Sequence, residues 1–293
     1  MERLNFPNNF GELPDKYSGY KDSKAVILPF PYEKTTCYLK GTAKGPSAII
    51  KASSEIELYD EELGNIYECG ICTLNELKVD KPSDQMVEIA CEAIKDLLKD
   101  NKFIATIGGE HSITIGIVNA FKEKFNDLSV LQIDAHADLR EDFEDTKYSH
   151  ACAMKRVIEK CPIVQVGIRS LSFEESEFVK EKKLKIFWAK DIFDNDKWFD
   201  EAISMLSKNV YVTIDLDGFD PSIIPSVGTP EPGGLGYYQV LSFLERLFEK
   251  RNVVGFDVVE LCPREHEIVS DFTAARLVYK MIGYKFRSVN KSL

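Results

Sequence analysis

The 293-residue chain is 44% hydrophobic and 29% charged, an ordinary globular balance with room for one large α/β domain or two smaller ones. Its net charge of −11 argues against a nucleic-acid partner and favours a cationic small molecule, although solubility alone would also account for it. No apolar run approaches the ~18 residues needed to span a bilayer, and MERLNFPNNF has neither a basic region nor an apolar core, so no signal peptide is expected and the chain reads as cytoplasmic.

Residues 1–24 are polar, with Pro7, Pro14 and Gly19, and read as a surface extension. AVILPF (25–30) has the composition of a buried strand. The following loop contains Gly41, Gly45 and Pro46 and leads into a predicted helix over 47–63. Ser83 is placed to cap the next helix, 84–100, whose apolar face is Met86, Ile89, Ala90, Ala93, Ile94, Leu97 and Leu98. A regular alternation follows. Strands are predicted over 103–107, 129–133, 163–168, 185–189, 210–214 and 253–259. Helices are predicted over 113–124, 150–160, 173–183, up to Ser207, 237–250 and 270–283. Short apolar strands alternating with amphipathic helices imply a parallel sheet covered on both faces, and a single domain over 1–293 is the simplest account.

Ligands of such sheets bind beyond the carboxyl ends of the strands. Four polar motifs fall there: GGEHS (108–112), DAHAD (134–138), DLD (215–217) and Glu260. In extended backbone, Asp134, His136 and Asp138 at i, i+2 and i+4 share one side. Two carboxylates and an imidazole crowded at a strand end repel one another, and a divalent cation relieves that. Asp215 and Asp217 repeat the spacing, and GGEHS offers His111. For Asp220, before Pro221, a turn that holds backbone is the better reading. The donor set is then His111, Asp134, His136, Asp138, Asp215 and Asp217. Six ligands with no thiolate exceed one tetrahedral zinc; two ions, with Mn²⁺ favoured by the carboxylates, would use them all.

The seven cysteines are expected as free thiols, and the CxxC at Cys69 and Cys72 as two buried thiols near a strand. Of the four histidines, His266 in PREHE is assigned only a surface position.

GGEHS, DAHAD and DLDGFDPSIIPSVGTPEPGG, in this order, resemble the ureohydrolases, the family of arginase and agmatinase. The resemblance runs from PYEKTT to ELCP. It implies a three-layer α/β/α domain with a mainly parallel, eight-stranded sheet, a homotrimer or homohexamer, and hydrolysis of a guanidino compound to urea and an amine with two Mn²⁺. Carried over by motif, one ion is held by His111, Asp134, Asp138 and Asp215. The other is held by Asp134, His136, Asp215 and Asp217. Glu260 in VELCP pairs with the guanidinium, His150 in YSHAC protonates the leaving amine, and Asp138 also moves a proton.

For the substrate, arginase-like members carry an Asn where this chain has Arg140. The acids that follow, Glu141, Asp142, Glu144 and Asp145, suit a substrate ending in an amine. QVGIRS and TPEPGG resemble agmatinases, so agmatine, giving putrescine, is the first expectation. The segment DLREDFEDTKYSHAC departs from the agmatinase DTY…HGT pattern, which keeps N1-aminopropylagmatine, giving spermidine, as the rival. Arginine, formiminoglutamate and guanidinobutyrate fit less well. A deacetylase-like amidohydrolase would need tandem catalytic histidines that are absent, and a non-catalytic polyamine-binding paralogue would be expected to lose ligands.

Overall fold

The computed structural model describes residues 2–287. Its main sheet has eight strands: β1 (Ala25–Phe30), β2 (Ile71–Thr73), β3 (Phe103–Gly108), β4 (Leu128–Ile133), β5 (Ile163–Ile168), β6 (Ile186–Trp188), β7 (Asn209–Asp215) and β8 (Asn252–Val259). All pair in parallel, in the order β2-β1-β3-β8-β7-β4-β5-β6. Successive residues serve opposite faces, as strand geometry requires. Ala25 and Ile27 enter one core and Val26 and Leu28 the other. The first core is closed by α1 (Gly45–Ser53), α6 (Phe199–Ser204), α7 (Tyr237–Lys250) and α8 (Val269–Phe286). The second is closed by α2 (Ser83–Lys99), α3 (Ile113–Lys124), α4 (Ala153–Ile158) and α5 (Phe173–Lys182). This is the three-layer α/β/α architecture, and it explains why the strands read as unbroken apolar runs rather than alternating ones.

The strand order positions the chemistry. β3, β8, β7 and β4 lie side by side at the centre, and the four polar motifs follow those four strands. Ile133 is in register with Ile214, so Asp134 emerges beside Asp215. Val259 is in register with Asp215, so Glu260 emerges one residue further out on the adjoining strand.

Four local expectations differ from the structure. β2 was not anticipated; it holds only Ile71, Cys72 and Thr73, too few for a periodic signal. The helix expected over 47–63 stops at Ser53 and gives way to a small hairpin, Tyr59–Asp60 against Gly64–Asn65. Asp60 Oδ1 accepts from the backbone N–H groups of Glu62 and Leu63, both at 3.0 Å. Buried Lys280, on α8, also contacts Asp60 at 3.1 Å and Glu62 at 2.8 Å. That long-range ion pairing overrides local helix preference. Ser83 does not cap α2; its hydroxyl lies 3.2 Å from that of Thr146. Ile89, assigned to the apolar face, is 38% exposed.

Among the described residues, no helix is long and apolar enough to cross a membrane.

The turn after β3 depends on one close approach. Gly109 donates to the carbonyl of Phe30 at 2.9 Å and accepts from Glu260 N at 2.8 Å. A Cβ there would lie 2.1 Å from the carbonyl oxygen of Tyr32. Gly109→Ala is therefore expected to lower stability by about 1–3 kcal/mol, as overpacking does. Urea unfolding measures this, and an unchanged midpoint would contradict the close-packed turn.

Candidate active site

At the carboxyl rim the side chains of His111, Asp134, His136, Asp138, Asp215 and Asp217 converge. Two groups of donor atoms, His111/Asp134/Asp215 and Asp134/His136/Asp217, each lie within 4.8 Å of one another. Asp134 belongs to both. His111 Nδ1 is 3.2 Å from Asp134 Oδ2, 3.0 Å from Asp138 Oδ2 and 3.5 Å from Asp215 Oδ2. His136 Nδ1 is 2.9 Å from Asp217 Oδ2 and 3.7 Å from Asp134 Oδ1. The DAHAD backbone is extended only in part. A bridge between His136 and Ser170 continues the sheet, but Asp138 has a φ of 53°. Asp138 thus joins the cluster through a left-handed residue rather than through simple alternation. Glu260 has a φ of 66°. Left-handed non-glycine residues cost free energy and persist where the surroundings dictate them.

A polar scaffold holds these groups. Gln132 on β4 donates to Asp134 Oδ2 at 2.6 Å, and Gln165 on β5 donates to Gln132 Oε1 at 2.6 Å and to the carbonyl of Ala137 at 2.7 Å. His111 Nε2 is 2.9 Å from Thr213 Oγ1, and Thr213 donates to buried Asp257 at 2.5 Å. Tyr211 and Thr114 donate to the same carboxylate, at 2.8 Å and 2.9 Å. Since the Thr213 hydrogen is committed to Asp257, His111 Nε2 must donate to Thr213. That leaves Nδ1 as the nitrogen facing the carboxylates. Arg169, at the end of β5, clamps the loop after β7 through the carbonyls of Asp217 and Glu231, both at 2.7 Å, and of Pro232 at 3.0 Å. Gly218 in that loop packs against Asp134, where a Cβ would lie 2.9 Å from its backbone nitrogen.

The electrostatics fit a metal centre. Asp134, Asp138, Asp215 and Asp217 are 0–6% exposed. Burial, followed by repulsion from Asp217 and Asp138, pushes the Asp134 carboxyl up to about 7. Burial and neighbouring Asp217 and Asp134 hold Asp215 well above the usual range. For His136, burial opposes protonation, but Asp217 beside it overrides this and raises its pKa to about 11. Burial likewise opposes protonation of His111, and the carboxylates around it win. His111 Nδ1, buried and aimed at three carboxylates, has no hydrogen-bond partner. Such an orphaned nitrogen amid crowded carboxylates is what a bound divalent cation resolves.

Above the cluster opens a cavity of ≈ 290 Å³ lined in part by His150, Glu260, Arg140, Phe143, Cys37 and Tyr38. Glu260 is 8% exposed, accepts from His111 N at 2.7 Å, and its pKa is raised by burial and then by nearby Glu110. His266 is far out on the surface, its side chain 90% exposed. The acidic loop behaves differently from expectation. Glu141, Asp142, Glu144 and Asp145 do not line the cavity. Glu141 turns to Lys155 and Arg156, at 3.3 Å and 3.2 Å. The carboxylate that does line the outer cavity is Glu175. It closes a capping box with Ser172 and accepts from Leu139 N at 2.8 Å. The Ser-x-x-Glu spacing of SFEE carried that signal. Gln165, the lone polar side chain in IVQVGI, carries a signal of the same kind.

A family model for the arginase family matches residues 23–283. The chain is 42% identical to the N(1)-aminopropylagmatine ureohydrolase of Synechocystis sp., over 99% of this chain and 100% of that protein. It is 34% identical to the agmatinase of Pyrococcus horikoshii, over 91% of this chain and 94% of that one. The crystal structure of the agmatine ureohydrolase of Thermoplasma volcanium matches with a TM-score of 0.89 at 30% identity, covering 98% of this chain and 97% of that one. The chain belongs to the arginase family. It is a ureohydrolase, a hydrolase of guanidino carbon–nitrogen bonds from a family of binuclear metal enzymes, and its paired His/Asp clusters could hold metal.

Two outcomes are expected. Burial and neighbouring carboxylates push Asp134 up to about 7, and Asp217 raises His136 to about 11, so an incoming cation must displace the His136 proton and, as pH falls below about 8, a growing share of an Asp134 proton. Mn²⁺ affinity is therefore expected to fall as pH drops from about 8 to about 6, with proton release visible by calorimetry in buffers of different ionisation enthalpy; pH-independent binding without proton release would contradict this. Thr213→Val, which leaves the His111 Nε2–H without its acceptor, is expected to weaken Mn²⁺ binding about 10- to 100-fold by equilibrium dialysis. Unchanged affinity would remove the Asp257–Thr213–His111 chain from the account.

Proposed function

We propose that the chain hydrolyses N1-aminopropylagmatine to urea and spermidine, with two Mn²⁺ ions as cofactors. The proposal is carried by the convergence of six metal-donor side chains, five of which, all but buried Asp134, line one cavity together with Glu260 and His150. Within the proposal, His111, Asp134, Asp138 and Asp215 would hold one ion, and Asp134, His136, Asp215 and Asp217 would hold the other, Asp134 and Asp215 belonging to both sets. Two such cations would lower the pKa of a water molecule and so supply a nucleophile at neutral pH.

The chain's own residues do the rest. Glu260 receives the guanidinium through charge-assisted N–H contacts and turns its carbon toward the cluster. Its buried setting makes that pairing stronger than it would be in water. Asp138 accepts and relays the proton released as the nucleophile attacks. His150, across the cavity, delivers a proton to the departing amine nitrogen, which breaks the C–N bond and frees urea and the primary amine. Imidazole suits that step because its ordinary pKa lies near neutrality.

The choice of substrate is supported by the relative from Synechocystis sp., at 42% identity over nearly the whole of both chains. Agmatine, giving putrescine, is the second reading, favoured by the agmatinase of Pyrococcus horikoshii at 34% identity. Both substrates are cations without a carboxylate, which suits a cavity floored by carboxylates in a chain of net charge −11. A cytoplasmic setting and a homotrimer or homohexamer belong to the same proposal.

Urea release from the Mn²⁺-loaded protein tests it. The expected order of kcat/KM is N1-aminopropylagmatine above agmatine, with arginine far below both. Arginine as the best substrate would overturn the assignment, and bound metal with no urea from any guanidine would indicate a binding paralogue instead.

A further inference from the structure

The ring of His150 is held by groups on a separate part of the chain. Thr35 Oγ1 lies 3.2 Å from His150 Nδ1 and accepts from His150 N at 3.0 Å. Ser149 Oγ is also 3.2 Å from Nδ1, while Nε2 faces the Cys37 thiol at 4.0 Å. Thr35 is in turn fixed from behind. Glu110, fully buried, accepts from the backbone N–H groups of Lys34 at 2.5 Å and Thr35 at 2.7 Å through Oε2. Its Oε1 accepts the hydroxyls of Thr35 at 2.7 Å and Ser112 at 2.5 Å.

A hydroxyl has one hydrogen and two lone pairs. The Thr35 hydrogen goes to Glu110, and one lone pair takes the His150 backbone N–H. The second lone pair can only accept, so Thr35 holds His150 Nδ1 as a donor, with the Ser149 hydroxyl free to serve as a second acceptor. Nε2 is then the nitrogen that loses and regains a proton on the cavity side, and the same hydrogen bonds survive in both states of the ring. We infer that Thr35, anchored by Glu110, is a positioning residue that sets the tautomer and orientation of His150. This rests on the reading of His150 as the proton donor to the leaving amine. Glu110 thereby ties the loop over 33–37 to the GGEHS turn, so that one carboxylate places the proton donor relative to His111 in the next position.

The test uses the Mn²⁺-loaded enzyme, with urea release from N1-aminopropylagmatine and from agmatine. Thr35→Val, with Thr35→Ala as a second variant should valine fold poorly, is expected to lower kcat about 10- to 100-fold and leave KM within about twofold, because misplacing a proton donor costs rate rather than binding. Thr35→Ser, which keeps the hydroxyl, is expected to restore most of kcat. Added to His150→Ala, Thr35→Val is expected to cost nothing more, and each variant is expected to retain its metal by elemental analysis. Additive losses in the double variant, failure of serine to rescue, or loss of metal from Thr35→Val would each overturn the inference. A His150→Ala enzyme with unchanged kcat would instead overturn the proton-donor reading beneath it.

Discussion

Asp134, Asp138, Asp215 and Asp217 end two neighbouring strands with their carboxylates sealed from water, and their mutual repulsion is the constraint around which the molecule is arranged. Two like charges ~4 Å apart repel by roughly 4 kcal/mol at an effective dielectric of 20. A hydrogen bond to a charged group returns about 1.5–3 kcal/mol. The donors to Asp134, from Gln132 and the backbone of His136, therefore offset about one such repulsion, and Asp134 faces both Asp217 and Asp138. Cations can offset the rest, and the same crowding is what raises the pKa of Asp134 and His136. The two covered faces of the sheet supply the stability that keeps such a cluster assembled.

The chemistry was legible because it is local. DAHAD and DLD display their donors within five residues and three residues of continuous chain, and the alternation of strands and helices announces a parallel sheet with its ligands at one rim. The pairing that unites these motifs was not legible. Nothing in VVGFDVV says that β8 lies between β3 and β7, yet that order brings Glu260 beside Gly109 and His111. Long-range contacts also caused the misplaced elements. The overlong helix after Pro46 ignored Lys280, which captures Asp60 from 220 residues away. The loop acids show only their sign in the sequence, whereas Lys155 and Arg156, on α4, draw Glu141 away from the cavity.

The site divides into an inner and an outer part with different physics. The inner part is dictated by donor identity and strand register, and a change of one residue there alters charge balance in a dry region. The outer part comes from loops: Thr36–Leu39 on one side, Arg140 and Phe143 on another, and Leu171, Ser172 and Glu175 on a third. Arg140 stacks on Phe143 with its guanidinium carbon 5.2 Å from the ring centroid, and its Nε is 3.9 Å from Glu175. A family can hold its reaction constant in the first part while changing its amine in the second, because loops tolerate substitution that strand ends do not.

The position of bound metal is the most direct test of this arrangement. Crystals of the Mn²⁺-loaded protein, measured near the manganese absorption edge, would give an anomalous difference map. Two peaks per chain are expected, one flanked by His111 and Asp138, the other by His136 and Asp217, with Asp134 between them. A single peak, or peaks lying outside these side chains, would contradict it.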